Sequence, residues 1–461
     1  MAHQHLPDDE LARYASDPGS VPLRRRQVIE QETAACAICR TALDFHSVMT
    51  AEELADPEVW EPEARPRPRP GGEDDQMRAY IERIEAEDRD ADAVLDERKL
   101  LESPIKAAFA NPERDKELLT GGVARRLTAH ANKIYEDEPR DAVTFADLAI
   151  LIAEALPDNA YPWKAVFELR GAAWKEQANA LRVAGDYPGA LDALRQAELA
   201  YDNLESPDFG LASVALIRGG VYLEQDRLDE AAAWAEKAEA GFAFLSQEER
   251  RMRAVFLRGS IKYEAGDIAT AVELLKQVQE YGEAVNDLRW AGRASYAIGN
   301  CEVDRRNLSE ASLQFHKALV IFREIGPERE RLATEWGLCR VLLHGGNRSE
   351  AIRRLRIVAT EFQKRSMIML AALVRLDLVE ALLALGATKQ IAETAARLFQ
   401  LFKDAGLMTG ALTAMAYMKE AATAGKLTPA GVNAVRTYLR RSARQPELLF
   451  EPPDDFVKNR P

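Results

Sequence analysis

One spacing constrains this chain more than any other feature. Ala190, Ala231, Ala271, Ala311, Ala351, Ile391 and Ala430 follow one another at steps of 41, 40, 40, 40, 40 and 39 residues. An interval held that closely over most of a chain is the signature of stacked helical repeats, each too small to bury its own apolar face. Five residues before each marker stand Gly185, Asp226, Gly266, Arg306, Gly346, Gly386 and Gly425, where a helix can end in a left-handed turn. Twelve before it stand Ala178, Gly219, Gly259, Gly299 and Cys339, small enough for two helix backbones to approach. Apolar residues recur four and seven positions after it, as in Leu275 and Val278 or Phe315 and Ala318. Each unit therefore reads as an antiparallel helix pair with the marker in the second helix.

That pattern, clearest in Gly219 to Ala238 and Gly259 to Val278, resembles the tetratricopeptide repeat. The resemblance covers roughly Tyr161 to Leu439 and extends back toward residue 117. It implies an all-α fold, a right-handed superhelix of antiparallel helix pairs. The usual period is about 34 residues, so steps near 40 imply helices longer by almost a turn, as in long-helix variants from bacterial regulators. Ile391 and Met418 dilute the pattern at the end, as expected of a capping repeat. In such arrays first-helix positions line the concave surface. The resemblance thus points to a partner groove with an aromatic ladder of Phe256, Tyr296 and Trp336, flanked by Arg253, Arg293, Arg340 and Asn300. Lys175 and Leu216 continue the ladder position, and Asn179, Gly220 and Ser260 the Asn300 position. Such a groove would suit an extended peptide or a helix. The alternative is that longer helices fill it and these side chains pack on neighbouring repeats.

The first 116 residues lie outside the period. Residues 1–49 read as a small helical unit, with a helix from Pro7 to about Ala15, a break at Asp17-Pro18-Gly19-Ser20, and a second helix from about Leu23 through Cys39. Val28, Ile29, Cys36 and Cys39 are expected on one side of it. Residues 50–75, with E-P-E-A-R-P-R-P-R-P-G-G-E-D-D, form a linker that cannot bury a core. Connecting helices follow over 76–116, the repeats over 117–445, and a tail over 446–461.

Glu32, Cys36 and Cys39 are four and three residues apart, so on a helix all three project from one face. With His5 as a fourth donor they could hold zinc, and His46 is the substitute donor. H-L-P-D-D-E-L-A-R-Y, a turn, then a helix ending C-x2-C-R-x2-L, resembles the zinc-binding N-terminal domain of anti-sigma factors. That implies a zinc-finger-like domain, zinc as cofactor and a sigma factor as partner. Glu32 stands where that family has a second His. A packing role for the two cysteines, or a thiol switch, is also open.

Composition narrows the function classes. A formal net charge of −14 excludes broad phosphate contact, so no direct nucleic-acid binding is expected. The most apolar stretch, Met367 to Leu385, is broken by Arg375, Asp377 and Glu380, and no secretory start is visible, so a cytoplasmic protein with no membrane contact is expected. Four cysteines make no disulfide framework. His130, His316 and His344 are isolated, Cys301 and Cys339 are packing residues, and Arg353, Arg354 and Arg356 read as a solvated face. No catalytic signature occurs, so the chain is read as non-enzymatic. The expectation is a bacterial regulator or adaptor whose N-terminal part binds a sigma factor and whose repeats bind a protein or peptide. A plain interaction scaffold and an intracellular peptide receptor are the alternatives.

Overall fold

A computed structural model describes residues 118–452, apart from 157–160, 207, 326–327, 405–408 and 443–447, together with 21, 23–35 and the single positions 14, 18, 83, 86, 87 and 91. The chain divides into two units, Met1–Gln76 and Met77–Pro461.

In the first unit, α1 spans Leu23–Ala35. Ile29 is fully buried and the Thr33 hydroxyl donates to its carbonyl at 2.7 Å. Val28, expected on the same side, is exposed, because adjacent helical residues point about 100° apart. The Tyr14 hydroxyl donates to Glu30 at 2.9 Å. Glu32 lies on α1, whereas His5, Cys36, Cys39 and His46 lie outside the described residues.

In the second unit sixteen helices are described, and no strand. They run as eight consecutive antiparallel pairs. The first two pairs are α2 (Gly121–Ile134) with α3 (Pro139–Ala155), and α4 (Trp163–Ala184) with α5 (Tyr187–Tyr201). Next come α6 (Asp208–Glu224) with α7 (Leu228–Phe244), α8 (Glu248–Glu264) with α9 (Ile268–Ala284), and α10 (Leu288–Asp304) with α11 (Leu308–Glu324). The series ends with α12 (Glu328–His344) and α13 (Arg348–Lys364), α14 (Ile368–Leu383) and α15 (Thr388–Asp404), and α16 (Thr409–Thr423) and α17 (Pro429–Ser442).

The 40-residue step follows from these lengths. From α6 to α13 every helix has 17 residues and three-residue connections join them, so one helix and its link consume half a period. All seven expected turn residues have positive φ, from +61° to +86°, including the non-glycines Asp226 and Arg306. Each link closes in the same way. The amide that follows the left-handed residue reaches back five positions, as in Asp267 N to Lys262 O at 2.9 Å, while Gly266 N bonds Tyr263 O at 3.0 Å. This is the Schellman arrangement, which satisfies carbonyls that a helix end leaves bare. A second set of left-handed residues, Ser246, Asn286 and Ser366, ends the second helices and joins one pair to the next.

The marker is the residue whose amide makes the first bond of the second helix, as in Ala271 N to Asp267 O and Ala311 N to Asn307 O, both 3.0 Å. In the last pair that place belongs to Val432, which bonds Thr428 O at 3.0 Å and is buried. Ala430, the expected marker there, is exposed. Leu427 and Thr428 lengthen this link, so the small-residue count runs ahead of the helix. In the first pair Ala142 takes the same place, bonding Glu138 O at 3.0 Å, so the architecture begins before the sequence period does.

Small first-helix residues do what their size suggests. A Cβ on Gly299 of α10 would lie 2.7 Å from the Phe315 ring, and one on Gly337 of α12 would lie 2.5 Å from it. Phe315 of α11 is fully buried between these two glycines, joining its own pair to the next. Cys301 and Cys339 are buried at or beside the same positions, and burial pushes both thiols up to about 12. They are packing residues rather than thiolates. A methyl group forced against a closed-in ring costs about 1–3 kcal/mol. Gly299→Ala should therefore lower the melting temperature in circular dichroism by several degrees, and an unchanged transition would contradict this packing.

Candidate ligand-binding cavity

The first helices α2, α4, α6, α8 and α10, with the turn after α2, enclose a cavity of about 560 Å3. The second helices contribute nothing to its lining. Lys175, Leu216 and Phe256 line it from fifteen residues before their markers, and Asn179, Gly220 and Ser260 from eleven before. Arg253 and Arg293 line it as well. The remaining expected groove residues lie elsewhere. Tyr296 packs its ring against Phe315 at 5.9 Å. The Asn300 side-chain oxygen accepts from Arg340 at 2.9 Å, and Arg340 also pairs with Asp304 at 3.2 Å. Arg340 lines a second cavity of about 350 Å3 between α12, α14 and α17. Trp336 Nε1 donates to Asp377 at 2.6 Å, and the same carboxylate pairs with Arg436 at 3.0 Å. The seven residues are thus divided between two cavities and the core, and the aromatic ladder is not one continuous strip.

The larger cavity is electropositive in a chain of net charge −14. Lys133, Lys175, Arg182, Arg250, Arg253, Arg289 and Arg293 face Glu136, Glu176, Glu224 and Asp287, seven cations against four carboxylates. Some are neutralised in place: Lys175 pairs with Glu176, and Arg253 with Glu249. The guanidiniums of Arg253 and Arg293 lie over the Trp290 ring at 5.6 and 5.3 Å, a cation–π arrangement that leaves their edges to other partners. Phe256 meets Trp290 edge-on at 5.2 Å.

Glu136 ties the array together across this cavity. Its Oε2 accepts from Arg289 and Arg293 of α10, each at 2.6 Å, 153 and 157 residues away in sequence. Arg293 also reaches Glu330 of α12. Burial opposes ionisation of Glu136, but the hydrogen bond and charge of Arg293 and the charge of Arg289 outweigh it, so its carboxyl sits below the ordinary value. Burial likewise opposes the charge of Arg293, and Glu136 and Glu330 more than restore it.

Sequence reasoning missed four contributors here. Arg250 and Trp290 stand twenty-one residues before their markers, one turn ahead of Arg253 and Arg293, so the same ruler would have reached them. Arg289 is one residue further back, and Glu136 lies in a turn without any periodic signal. His344, read as isolated, lines the second cavity beside Arg340, where burial and the charges of Arg306 and Arg340 lower its pKa. Arg353 and Arg354 pair with Glu350 on an exposed face, as the cluster suggested. Among the described residues no three His, Cys, Asp or Glu side chains form a metal-binding group.

Among solved structures, the chain is similar to a Rap protein complexed with competence and sporulation factor, at 13% identity, covering 70% of this chain and 87% of that one with a TM-score of 0.53. It also matches the apo form of RapI, at 14% identity over 56% of this chain and 97% of that one, TM-score 0.40. Aspartyl phosphate phosphatase F from Bacillus subtilis matches at 12% identity over 87% and 95%, TM-score 0.49. The Rap likeness shows a shared tetratricopeptide-like, all-helical repeat fold. No protein-family model matches the sequence. No curated protein matches it either.

Glu136→Gln keeps the shape and removes the charge. A partly buried charged hydrogen bond is worth about 1–3 kcal/mol. Because the folded value of Glu136 is lowered, its contribution is present above the ordinary glutamate value of 4.5 and is lost as pH falls through the lowered folded value. The variant should melt several degrees below the parent at pH 7, with the gap closing toward acid. A gap that is independent of pH would contradict the assignment.

Proposed function

We propose that the helix-pair array is a receptor for an extended protein or peptide segment, held in the cavity of α2, α4, α6, α8 and α10. The observation that carries this reading is the lining itself, where half-buried Leu216, Phe256 and Trp290 stand beside guanidiniums. Aromatic anchors within a polar, cationic rim are what a segment-binding groove requires: the rings give area and the arginines grip carboxylates or backbone carbonyls. A Rap protein of the shared fold has been solved complexed with competence and sporulation factor, which supports a binding role for an array of this kind.

The reading is of a binding protein rather than an enzyme. The two serine hydroxyls in the lining, Ser213 and Ser260, each donate to a carbonyl of their own helix, Phe209 O at 2.8 Å and Phe256 O at 3.0 Å, and neither is paired with a base. Among the described residues no helix is long and apolar enough to cross a membrane. A bacterial cytoplasmic adaptor is the setting that fits, in preference to a plain scaffold, because a scaffold has no need of a charged interior cavity.

A library of displayed random peptides selected on the full chain tests the proposal. Binders should emerge that lose at least about tenfold in affinity with Phe256→Ala or Trp290→Ala. Binders indifferent to both substitutions, or none, would overturn it.

For residues 1–49 the resemblance to the anti-sigma domain carries two finer readings, a sigma factor as partner and zinc at His5, Glu32, Cys36 and Cys39. Two thiolates, an imidazole and a carboxylate are a donor set that zinc accepts. Elemental analysis of protein purified without chelator should find one zinc per chain. Less than a tenth of an equivalent would refute the metal, and a pull-down in which the first 60 residues capture no sigma factor would refute the partner.

A further inference from the structure

The cavity does not treat its cations alike. Arg250 has no carboxylate within ion-pair distance among the described residues, and its guanidinium rests over the Phe209 ring at 5.7 Å. Burial, and then the charge of Arg253, lower its pKa against the opposing charges of Glu249 and Glu176. Arg253 Nε, nearby, is buried without a hydrogen-bond partner. Around the same Trp290 ring Arg293, with Arg289 beside it, is satisfied: one oxygen of Glu136 from the turn after α2 accepts from both, and Glu330 of α12 also holds Arg293. The cavity therefore holds one cation without a paired carboxylate, Arg250, beside an Arg253 whose Nη2 is taken by Glu249 and whose Nε is not taken, and two cations that the chain fills with its own carboxylates.

We propose that the segment bound in this cavity is acidic: one of its carboxylates takes Arg250 and Arg253, and another competes with Glu136 for Arg289 and Arg293. This rests on the segment-receptor reading and adds the chemistry of the occupant. The charge balance favours it. Seven lining cations face four lining carboxylates, Glu249 and Glu330 compensate Arg253 and Arg293 from outside the lining, and the excess that remains falls on Arg250, which a neutral segment would leave unpaired in a partly desolvated space. Guanidiniums are matched to carboxylates by their fork geometry, and those held over Trp290 are already oriented. Glu136 then acts as a built-in competitor. While it holds Arg289 and Arg293 the turn after α2 is tied to α10, and a ligand carboxylate that replaces it leaves that turn free. Binding and release of the Glu136 bridge are thus two sides of one exchange, with ligand affinity reduced by whatever the bridge contributes.

Two libraries of random eight-residue peptides, identical except that one carries Glu wherever the other carries Gln, are measured against the full chain by fluorescence anisotropy. The Glu library should bind at least about tenfold more tightly, the scale of one charge-assisted hydrogen bond, and lose that advantage as salt rises. Arg250→Gln should erase most of the preference and Arg250→Lys should retain it. Glu136→Gln, which removes the competitor, should strengthen Glu-peptide binding about threefold or more while leaving Gln peptides unchanged. Equal binding of the two libraries, both abolished by Trp290→Ala, would overturn the acidic assignment and leave the receptor standing. Binding of neither would overturn the receptor itself. Weaker Glu-peptide binding in Glu136→Gln, measured well below that variant's own melting temperature so that the chain is folded, would overturn the competition. An oligonucleotide that binds and is lost with Arg250→Gln, while Glu peptides do not bind, would assign the cavity to a nucleic acid instead.

Discussion

Seven of the eight helix pairs here depend on one residue in the left-handed region at the end of the first helix. That residue lets the next amide bond back into the helix, stops the helix within three residues, and sends the chain back antiparallel. Because it recurs at nearly the same step, first helices stack on first helices and second on second. An array with irregular links would scatter the −15 and −11 positions over different faces. With regular links, Lys175, Leu216 and Phe256 come from three successive pairs to one cavity wall. Arg306 shows how strongly the turn is imposed, since it adopts φ +61° without the glycine that its neighbours use.

Stacking alone does not produce a charged interior. The excess of arginine on α8 and α10 has to be held against mutual repulsion, and the chain does so by laying guanidiniums over Trp290 and by bringing Glu136 across from the first pair. The second cavity uses the same device, where Asp377, mostly buried on α14, gathers Trp336 and Arg436. Glu136 is the longer-range of the two and joins elements more than 150 residues apart, so the curl of the array and the charge of the cavity are coupled.

Much of this was legible from spacing. The turn at Gly266, the close approach at Gly299 and the cavity position of Phe256 are local consequences of a period, and a period survives in sequence. The link before α17 was misread because two added residues, Leu427 and Thr428, leave the count of small residues intact while moving the helix start. Ser246, Asn286 and Ser366 stand fifteen residues after their markers, but none is the glycine that announces a left-handed turn, so the turns between pairs went unread. Tyr296 and Trp336 belong to the ladder by position and yet leave the cavity, because Phe315 and Asp377 offer them nearer partners. Glu136 could not have been found, since nothing in a sequence announces a partner 153 positions away.

The central claim is that the inner face of the first helices, rather than the outer face of the second, receives the ligand. A photoreactive phenylalanine placed at Phe256, or in the control at Phe244, which is 63% exposed on α7, tests this most directly. With a bound segment and irradiation, the account predicts a covalent adduct from position 256 and none from 244. An adduct from 244 with none from 256 would contradict it.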